Sequence, residues 1–258
     1  MELDIFDEIQ RLRQLGQKAA LATVVRIPGA GSSFRTSKML IREDGSHLGS
    51  IGTDAIEADV WAAAEAVIRE EKSRIMKFET AEIFIEPILP VPRILIFGAG
   101  HIAIQVSKIA TIVGFRSTIV DDRPEFATAE RFPEAENIIC GTLENANKLF
   151  VPDENTYVII VTRDNQEDKQ VLRWAVQTNA RYIGMIGGRA KIQSITSDLE
   201  LEGIARERLD RVNMPIGLDI GAVLPEEIAV AIVAEIIHNR REGLGHPLSK
   251  KLHRASSR

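Results

Sequence analysis

The sequence predicts an α/β protein, in which a parallel sheet with helices on both faces follows a small N-terminal α+β domain. Strand-like and helix-like segments alternate through the second half of the chain, which is typical of a parallel sheet with crossover helices. The first half instead holds short strand-like runs and a tight turn. A proline-rich segment, "EPILPVPR", separates the two patterns. We therefore expect an N-terminal domain over 1–85, a linker over 86–93, a C-terminal domain over 94–245 and a basic tail over 246–258.

The N-terminal half begins with a predicted amphipathic helix, because Ile5, Ile9 and Leu12 recur on one face. The runs "AALATVVRI" and "SKMLIRED" predict strands, and "EDG" predicts a hairpin turn before "SHLGSI". The alanine-rich segment "AIEADVWAAAEAVIREEK" predicts a helix capped by Thr53 or Asp54.

Five strands are predicted in the second half, namely "RILIFG", "STIVDD", "NIICG", "YVIIVT" and "YIGMIG". Helices are predicted between them in "HIAIQVSKIATIVG", "LENANKLF" and "QEDKQVLRWAVQTN". The last predicted helix, "PEEIAVAIVAEIIHNRREG", has proline and acids in its first turn and arginines near its end, as the helix dipole favours. It is apolar nearly all round, which predicts burial against the sheet or in a homodimer interface.

Composition excludes several classes of protein. The chain has 258 residues, a net charge of -5 and a single cysteine, Cys140. One cysteine supports neither a disulfide framework nor a cysteine-based zinc cluster, so we expect a reducing, cytoplasmic environment. The N-terminus lacks the apolar core of a signal peptide, and no apolar run is long enough to cross a membrane. An acidic net charge gives no electrostatic footprint for nucleic acid.

The segment "GAGHIA" fits the fingerprint of a Rossmann-like nucleotide-binding turn. Gly98 permits the tight turn, Gly100 lets the backbone approach a phosphate, and Ala103 allows close packing of the following helix. His101 stands in the first turn of that helix, either as a ligand contact or as a partly exposed residue without a role. The turn itself is compatible with a module that binds no ligand.

Two acids and a cation follow the next predicted strand. Asp121 and Asp122 stand where an acid binds a ribose hydroxyl in dinucleotide-binding folds, and Arg123 follows them as a further candidate ligand residue. The sequence does not tell which of the two acids faces the cleft, because a shift of one residue exchanges the faces of a strand.

A second glycine turn, "IGGRAK", places Gly187 and Gly188 between a strand and a helix that starts with Arg189 and Lys191. Cations at a helix N-terminus oppose the helix dipole, which favours a bound anion there; solvated side chains on a plain turn are the alternative. Asp219 lies in the loop "PIGLDIGAVLPEE", which is long enough to cover a ligand or to serve only as a connection.

The N-terminal half has its own candidate anion loop, "GAGSSFRTSK". Ser32 and Ser33 supply small polar groups, and Arg35 and Lys38 supply positive charge, although exposed basic loops are also common without a ligand. No histidines and acids have the spacing of a metal site, and no nucleophile is placed on an elbow between strand and helix.

The motifs as a set resemble the XdhC/CoxI family across almost the whole chain. The resemblance rests on "IFGAGHIA", "TIVDDRPEFATAERFPEAE", "YIGMIGGRAK" and "PIGLDIGAVLPEEIAVAIVAEI", and in the first half on "ATVVRIPGAGSSFR", "KMLIREDG" and "GSIGTDAIEADV". It implies an accessory protein, often dimeric, that binds molybdenum cofactor and inserts it into an apo molybdenum hydroxylase such as xanthine dehydrogenase. It also implies cooperation with a cysteine desulfurase that sulfurates the cofactor, and a Rossmann domain at the C-terminus.

The chain departs from the family pattern at its cysteines and histidines. "GTDA" stands where the family has a cysteine, a second glycine and cysteine passage is missing between Lys77 and Ile83, and Arg163 and Asn165 replace histidines. If those groups contact the molybdenum centre in the family, this chain has lost the contacts but kept the phosphate-holding glycines. Two alternatives to the accessory role therefore stay open: an NAD(P)-dependent oxidoreductase, and a nucleotide-binding regulatory protein without catalysis.

Overall fold

The computed structural model describes residues 4–27, 37–51 and 54–241, apart from the side chains of residues 54 and 55. The chain divides into two compact units, Met1–Val91 and Pro92–Arg258. In the described part of the chain, no helix combines the length and the apolar character needed to cross a membrane.

The first unit is a five-stranded antiparallel sheet covered by a helix on each face. Its elements are α1 (Ile5–Gln14), β1 (Ala19–Arg26), β2 (Lys38–Arg42), β3 (His47–Gly49), α2 (Asp54–Glu70), β4 (Arg74–Lys77) and β5 (Glu82–Ile88), with strand order β3-β2-β1-β5-β4. Ala20 and Ala22 of β1 pack in the cluster that contains α2, whereas Ala19 and Leu21 pack in the cluster that contains α1. Burial on both faces explains why the first four residues of β1, "AALA", are all apolar.

Strand β5 corrects the predicted linker. Residues 86–88 form the end of this strand, although the sequence assigned them to a linker over 86–93. Pro87 pairs with Ala20 of β1 on one side, while the pairing with β4 on the other side ends at Ile85. A proline is tolerated there because β5 is locally an edge strand. Neither β4 nor β5 was predicted as a strand, and the predicted cap Thr53 lies outside the described residues.

The second unit confirms the predicted α/β class. Its elements are β6 (Arg93–Phe97), α3 (His101–Ile112), β7 (Arg116–Asp121), β8 (Asn137–Cys140), α4 (Leu143–Leu149), β9 (Thr156–Ile160), α5 (Asn165–Ala175), β10 (Tyr182–Met185), α6 (Arg189–Leu201), α7 (Arg206–Asp210) and α8 (Pro225–Arg241). The five strands are all parallel, in the order β10-β9-β6-β7-β8. Chain order reverses between β6 and β9, which is where open parallel sheets bind their ligands.

Two hydrophobic cores lie on opposite faces of the parallel sheet. Ile94 and Ile96 of β6 pack with residues of α3 and α8, whereas Leu95 and Phe97 pack with residues of α4, α5 and α6. The ring of Phe97 meets that of Trp174 edge to face, with centroids 5.5 Å apart.

Helix α8 is buried on one side rather than all round. Ile232, Val233 and Ile236 belong to the core that α8 shares with α3. Val230 is 48% exposed and Ile237 is 38% exposed. The helix therefore packs on the sheet unit with one face and leaves apolar side chains on the other.

Candidate functional site

The glycine loop after β6 is the centre of the candidate site. Gly98 has φ +103°, a region that favours glycine, and a Cβ there would lie 2.4 Å from the carbonyl oxygen of Val161. The N–H of Gly98 donates to the carbonyl of Val120, 2.8 Å away. The loop is thus wedged between the ends of β7 and β9, and only glycine fits at its first position.

Gly100 leaves open space in front of α3. It is the N-cap residue of the helix and gives it no side-chain cap, and a Cβ built there meets no atom within 4 Å. The first N–H groups of a helix have no partner within the helix, so they can donate to an anion. His101 is exposed in this first turn, and Ala103 is fully buried.

The carboxylate of Asp121 hydrogen-bonds to the glycine loop and to Arg123. It accepts the N–H of Ala99 at 2.7 Å and two hydrogen bonds from the guanidinium of Arg123, each at 2.8 Å. Burial would raise the pKa of Asp121, but the hydrogen bonds from Arg123 and Ala99 outweigh burial, so the pKa lies below its usual value. Asp122 points to the other side, where it is exposed and pairs with Arg163 at 2.9 Å.

An arginine that the motifs did not single out also lies at this loop. Arg131 donates to the carbonyl of Ala99 at 3.0 Å, and its guanidinium lies over the ring of Phe126, as does that of Arg123. The Nε atom of Arg131 is buried without a hydrogen-bond partner, and none of the described carboxylates forms an ion pair with it. The positive charge of Arg131 is therefore free for an anion at the glycine loop. Arg131 lies within the segment "TIVDDRPEFATAERFPEAE", but it belongs to no helix or strand and is far from the "GAGHIA" motif, so no spacing singled it out.

The second glycine turn resembles the first in part. Gly188 is the N-cap residue of α6, provides no side-chain cap, and has open space where a Cβ would lie. Arg189 is exposed and has no ion pair with the described residues. Lys191, in contrast, forms an ion pair with the fully buried Asp168. Of the two cations expected to bind an anion here, only Arg189 is unpaired within the described structure.

The remaining predicted residues belong to other elements or lie outside the described residues. Asp219 is exposed in the loop before α8. Lys38 belongs to β2 of the first unit, where its ammonium donates to the hydroxyl of Thr23 at 3.0 Å. Ser32, Ser33 and Arg35 lie outside the described residues. The described residues contain no group of three His, Cys, Asp or Glu side chains arranged to hold a metal ion.

Comparison with known protein families identifies both halves of the chain. A family model described as the XdhC Rossmann domain matches residues 94–236, and one described as the XdhC and CoxI family matches residues 12–79. The chain belongs to the XdhC and CoxI family. The resemblance noted in the motifs is thereby confirmed.

Relatives of this XdhC-family chain include two curated proteins. It is 27% identical over 268 positions to the uncharacterized protein YqeB of Escherichia coli (strain K12), covering 97% of this chain and 49% of that protein. It is 31% identical over 163 positions to a probable xanthine dehydrogenase subunit from Bacillus subtilis (strain 168), covering 63% of this chain and 47% of that protein. The chain thus spans about half the length of the curated relatives it matches.

A solved structure supports the fold of this XdhC-family chain. The crystal structure of a protein described as a xanthine dehydrogenase from Bacillus halodurans matches with a TM-score of 0.56 at 20% identity, over 93% of this chain and 96% of that one. At this identity the likeness establishes the fold.

In this XdhC-family chain, the glycine loop has the parts of an anion site. It combines an uncapped helix N-terminus, an open position at Gly100 and the guanidinium of Arg131, which forms no ion pair with any described residue. The chemistry that this arrangement supports is binding of a phosphate group through main-chain N–H donors and a guanidinium.

Proposed function

We propose that this protein is an accessory factor that binds molybdenum cofactor as cargo and delivers it to an apo molybdenum hydroxylase of the xanthine dehydrogenase type. The observation that carries the proposal is the glycine loop, with open space at Gly100 and beside it Arg131, which has no ion pair within the described residues. A helix N-terminus and a guanidinium suit a phosphate group, and the cofactor carries one, or a pyrophosphate in its dinucleotide form.

The partner enzyme is proposed from the family and from the relatives. The Bacillus subtilis relative is named as a probable xanthine dehydrogenase subunit, which supports a molybdenum hydroxylase as the acceptor of the cofactor. The same proposal includes a cysteine desulfurase, which would sulfurate the cofactor while it is bound to this protein.

The geometry gives less support to an NAD(P)-dependent oxidoreductase. Such an enzyme needs a carboxylate at the end of the second strand that is free to accept ribose hydroxyls. Both oxygens of Asp121 already accept hydrogen bonds from Ala99 and Arg123, and Asp122 pairs with Arg163. A nucleotide-binding regulatory role without catalysis requires only the glycine loop. The identity of the bound ligand therefore distinguishes this role from the main proposal.

The experiment is a binding comparison under anaerobic, reducing conditions. Purified protein is incubated with molybdenum cofactor, NAD(H), NADP(H) or AMP, and retained molybdenum and pterin are measured after desalting. We expect micromolar or tighter binding of molybdenum cofactor. Retention should be lost in Gly100→Val, because its side chain would extend into the open space at the N-terminus of α3, where a Cβ meets no protein atom within 4 Å.

Arg131→Gln tests the cation in the same assay. Loss of a charge-assisted hydrogen bond predicts binding weaker by about 10- to 100-fold. Arg116→Gln is the matched control, because it breaks an ion pair with Glu136 at the opposite end of β7 and should leave affinity unchanged. Nucleotide binding without retention of molybdenum cofactor would overturn the proposal.

A further inference from the structure

A cleft of about 210 Å³ lies against α5, at the edge of the parallel sheet where the glycine loop follows β6. We call it the α5 cleft. Phe97, Val120 and Val171 form an apolar floor, and each is almost completely buried. The volume is below the ~300 Å³ at the lower end of pockets that hold a whole drug-sized ligand. The α5 cleft therefore suits one planar ring system on an apolar floor.

The wall of the α5 cleft carries polar groups without protein partners. The carboxylate of Glu167 and the side-chain amides of Gln166 and Gln170 line the cleft, and none of them hydrogen-bonds to another described residue. Asp164 fixes the start of α5 by accepting the N–H groups of Gln166 and Glu167, each at 2.9 Å. Gln166 and Gln170 are exposed and can bond to water, whereas Glu167 is half-buried, so its carboxylate is the group that a ligand with hydrogen-bond donors would satisfy.

The electrostatics around Glu167 also favour a ligand with hydrogen-bond donors. Burial is the largest cause that raises the pKa of Glu167, and the nearby charges of Asp122 and Asp121 add to it. The ion pair between Asp122 and Arg163 stands at the rim of the same cleft. A ligand that donates hydrogen bonds to the Glu167 carboxylate would stabilise its charged form.

We propose that the α5 cleft binds a ring bearing a 2-amino-4-oxopyrimidine edge, the edge shared by pterin and guanine. This inference rests on the proposed function and names the part of the cargo held here. The edge presents a ring N–H beside an amino group, and these two parallel donors match the two oxygens of the Glu167 carboxylate. Gln170 and Gln166 offer amide groups for the remaining polar atoms of the ring.

Other ring edges fit the wall less well. Adenine presents an amino donor beside a ring nitrogen acceptor, so one carboxylate oxygen of Glu167 would face a lone pair. Hypoxanthine keeps the ring N–H but lacks the 2-amino group, so one oxygen would lose its partner. The relative affinities for these rings therefore measure how much the hydrogen bonds to Glu167 contribute.

The α5 cleft and the glycine loop adjoin along β6. Phe97 of the cleft floor directly precedes Gly98, the first glycine of the loop. One ligand can thus place its phosphate at the N-terminus of α3 and its ring in the cleft.

The test measures binding of GMP, IMP, AMP and a phosphorylated pterin by calorimetry. GMP and IMP differ only in the 2-amino group, so their ratio isolates that contact. We expect GMP or the phosphorylated pterin to bind at least about tenfold more tightly than IMP and AMP, as one bonded partner of a charged group predicts. If GMP binds more tightly than the phosphorylated pterin, the ligand of the cleft is a guanine nucleotide. If the pterin binds more tightly, the ligand is a pterin.

Glu167→Gln should abolish the preference for GMP over IMP, because GMP loses two hydrogen bonds to the carboxylate and IMP loses one, so GMP binding weakens more than IMP binding. Glu154→Gln is the matched control, because Glu154 is exposed and precedes β9 at the far edge of the sheet. Equal binding of GMP and IMP by the unaltered protein, tighter binding of AMP, or a preference that persists in Glu167→Gln would each overturn the inference. If molybdenum cofactor is retained and lost in Gly100→Val but is insensitive to Glu167→Gln, the inference fails while the proposed function stands.

Discussion

Gly98 and Gly100 occupy the same turn, but only Gly98 is required by the fold itself. Gly98 has a positive φ and its missing Cβ would strike the backbone of Val161, whereas Gly100 faces open space. The first glycine therefore serves folding, and the second is free to serve a ligand.

We expect Gly98→Ala to destabilise the second unit by at least ~2 kcal/mol, since left-handed strain alone costs about 1–3 kcal/mol. Gly100→Ala should change stability by less than about 0.5 kcal/mol. Urea denaturation followed by circular dichroism measures both variants. Equal losses of stability would contradict the division of roles between the two glycines.

The sequence located these glycines because a fingerprint records local backbone requirements. It did not foresee that Asp121 holds Ala99 and Arg123, because that depends on how the chain folds back after β7. Arg131 was missed for the same reason, since its contact with Ala99 joins residues 32 positions apart. Pairings between loops are set by tertiary structure, which spacing alone does not encode.

At the scale of elements, α1 is attached to its sheet by a buried carboxylate as well as by apolar side chains. The predicted apolar residues Ile9 and Leu12 are buried, and so is Glu8, which directly precedes Ile9. Glu8 accepts hydrogen bonds from Arg11 at 2.7 Å and from Arg42 of β2 at 2.9 Å. A pattern of apolar spacing predicts the helix but gives no signal for this charged contact.

This carboxylate predicts acid sensitivity of the first unit. The hydrogen bond from Arg11 is the largest cause that lowers the pKa of Glu8 from 4.5 to about 2, against the opposing effect of burial. A lowered pKa in the folded state gives stability that is present above pH 4.5 and lost as the pH falls towards 2. We expect a loss of about 3 kcal/mol across that window, and a smaller loss in Glu8→Gln. Urea titrations at pH 2, 5 and 7 measure the loss of unfolding free energy in the unaltered protein and in Glu8→Gln, and identical pH profiles for the two proteins would refute the prediction.

Helices α5 and α6 are joined by ion pairs of unequal burial. Asp168 is fully buried and pairs with Lys191, whereas Asp198 is about half exposed and pairs with Lys169 at 2.9 Å. Asp168→Asn should cost about 3–5 kcal/mol because it leaves a poorly solvated ammonium unpaired, and Asp198→Asn about 0–1 kcal/mol. Chemical denaturation of the two variants tests this order, and a cost for Asp198→Asn that matches or exceeds that of Asp168→Asn would contradict it.

At the scale of the whole molecule, the hydrophobic clusters of the described residues each belong to a single unit. The two clusters of the first unit draw on residues between Ile5 and Ile88, and the two of the second draw on residues between Ile94 and Ile236. The sequence predicted the second unit well, because strands and helices that alternate leave a strong periodic signal. It missed β5 because Pro87 is typical of a turn or linker, although β5 is an edge strand at that point. It also missed β4, which has only four residues.

Separate cores predict that residues 92–241 fold without the first unit, because the described hydrophobic clusters on both sheet faces consist of residues of the second unit. The expected result for this fragment is a single cooperative urea transition with helical circular dichroism. A fragment that lacks cooperative unfolding would show that the first unit is needed for its stability.

The contact between Phe97 and Trp174 has an optical consequence. The chain has two tryptophans, Trp61 in α2 of the first unit and Trp174 in α5 of the second, so each unit contains its own fluorophore. Trp174 packs against the ring that floors the α5 cleft, whereas Trp61 packs edge to face with His47. In a Trp61→Phe variant the remaining emission would come from Trp174 alone, giving a label-free spectroscopic report on the cleft in solution.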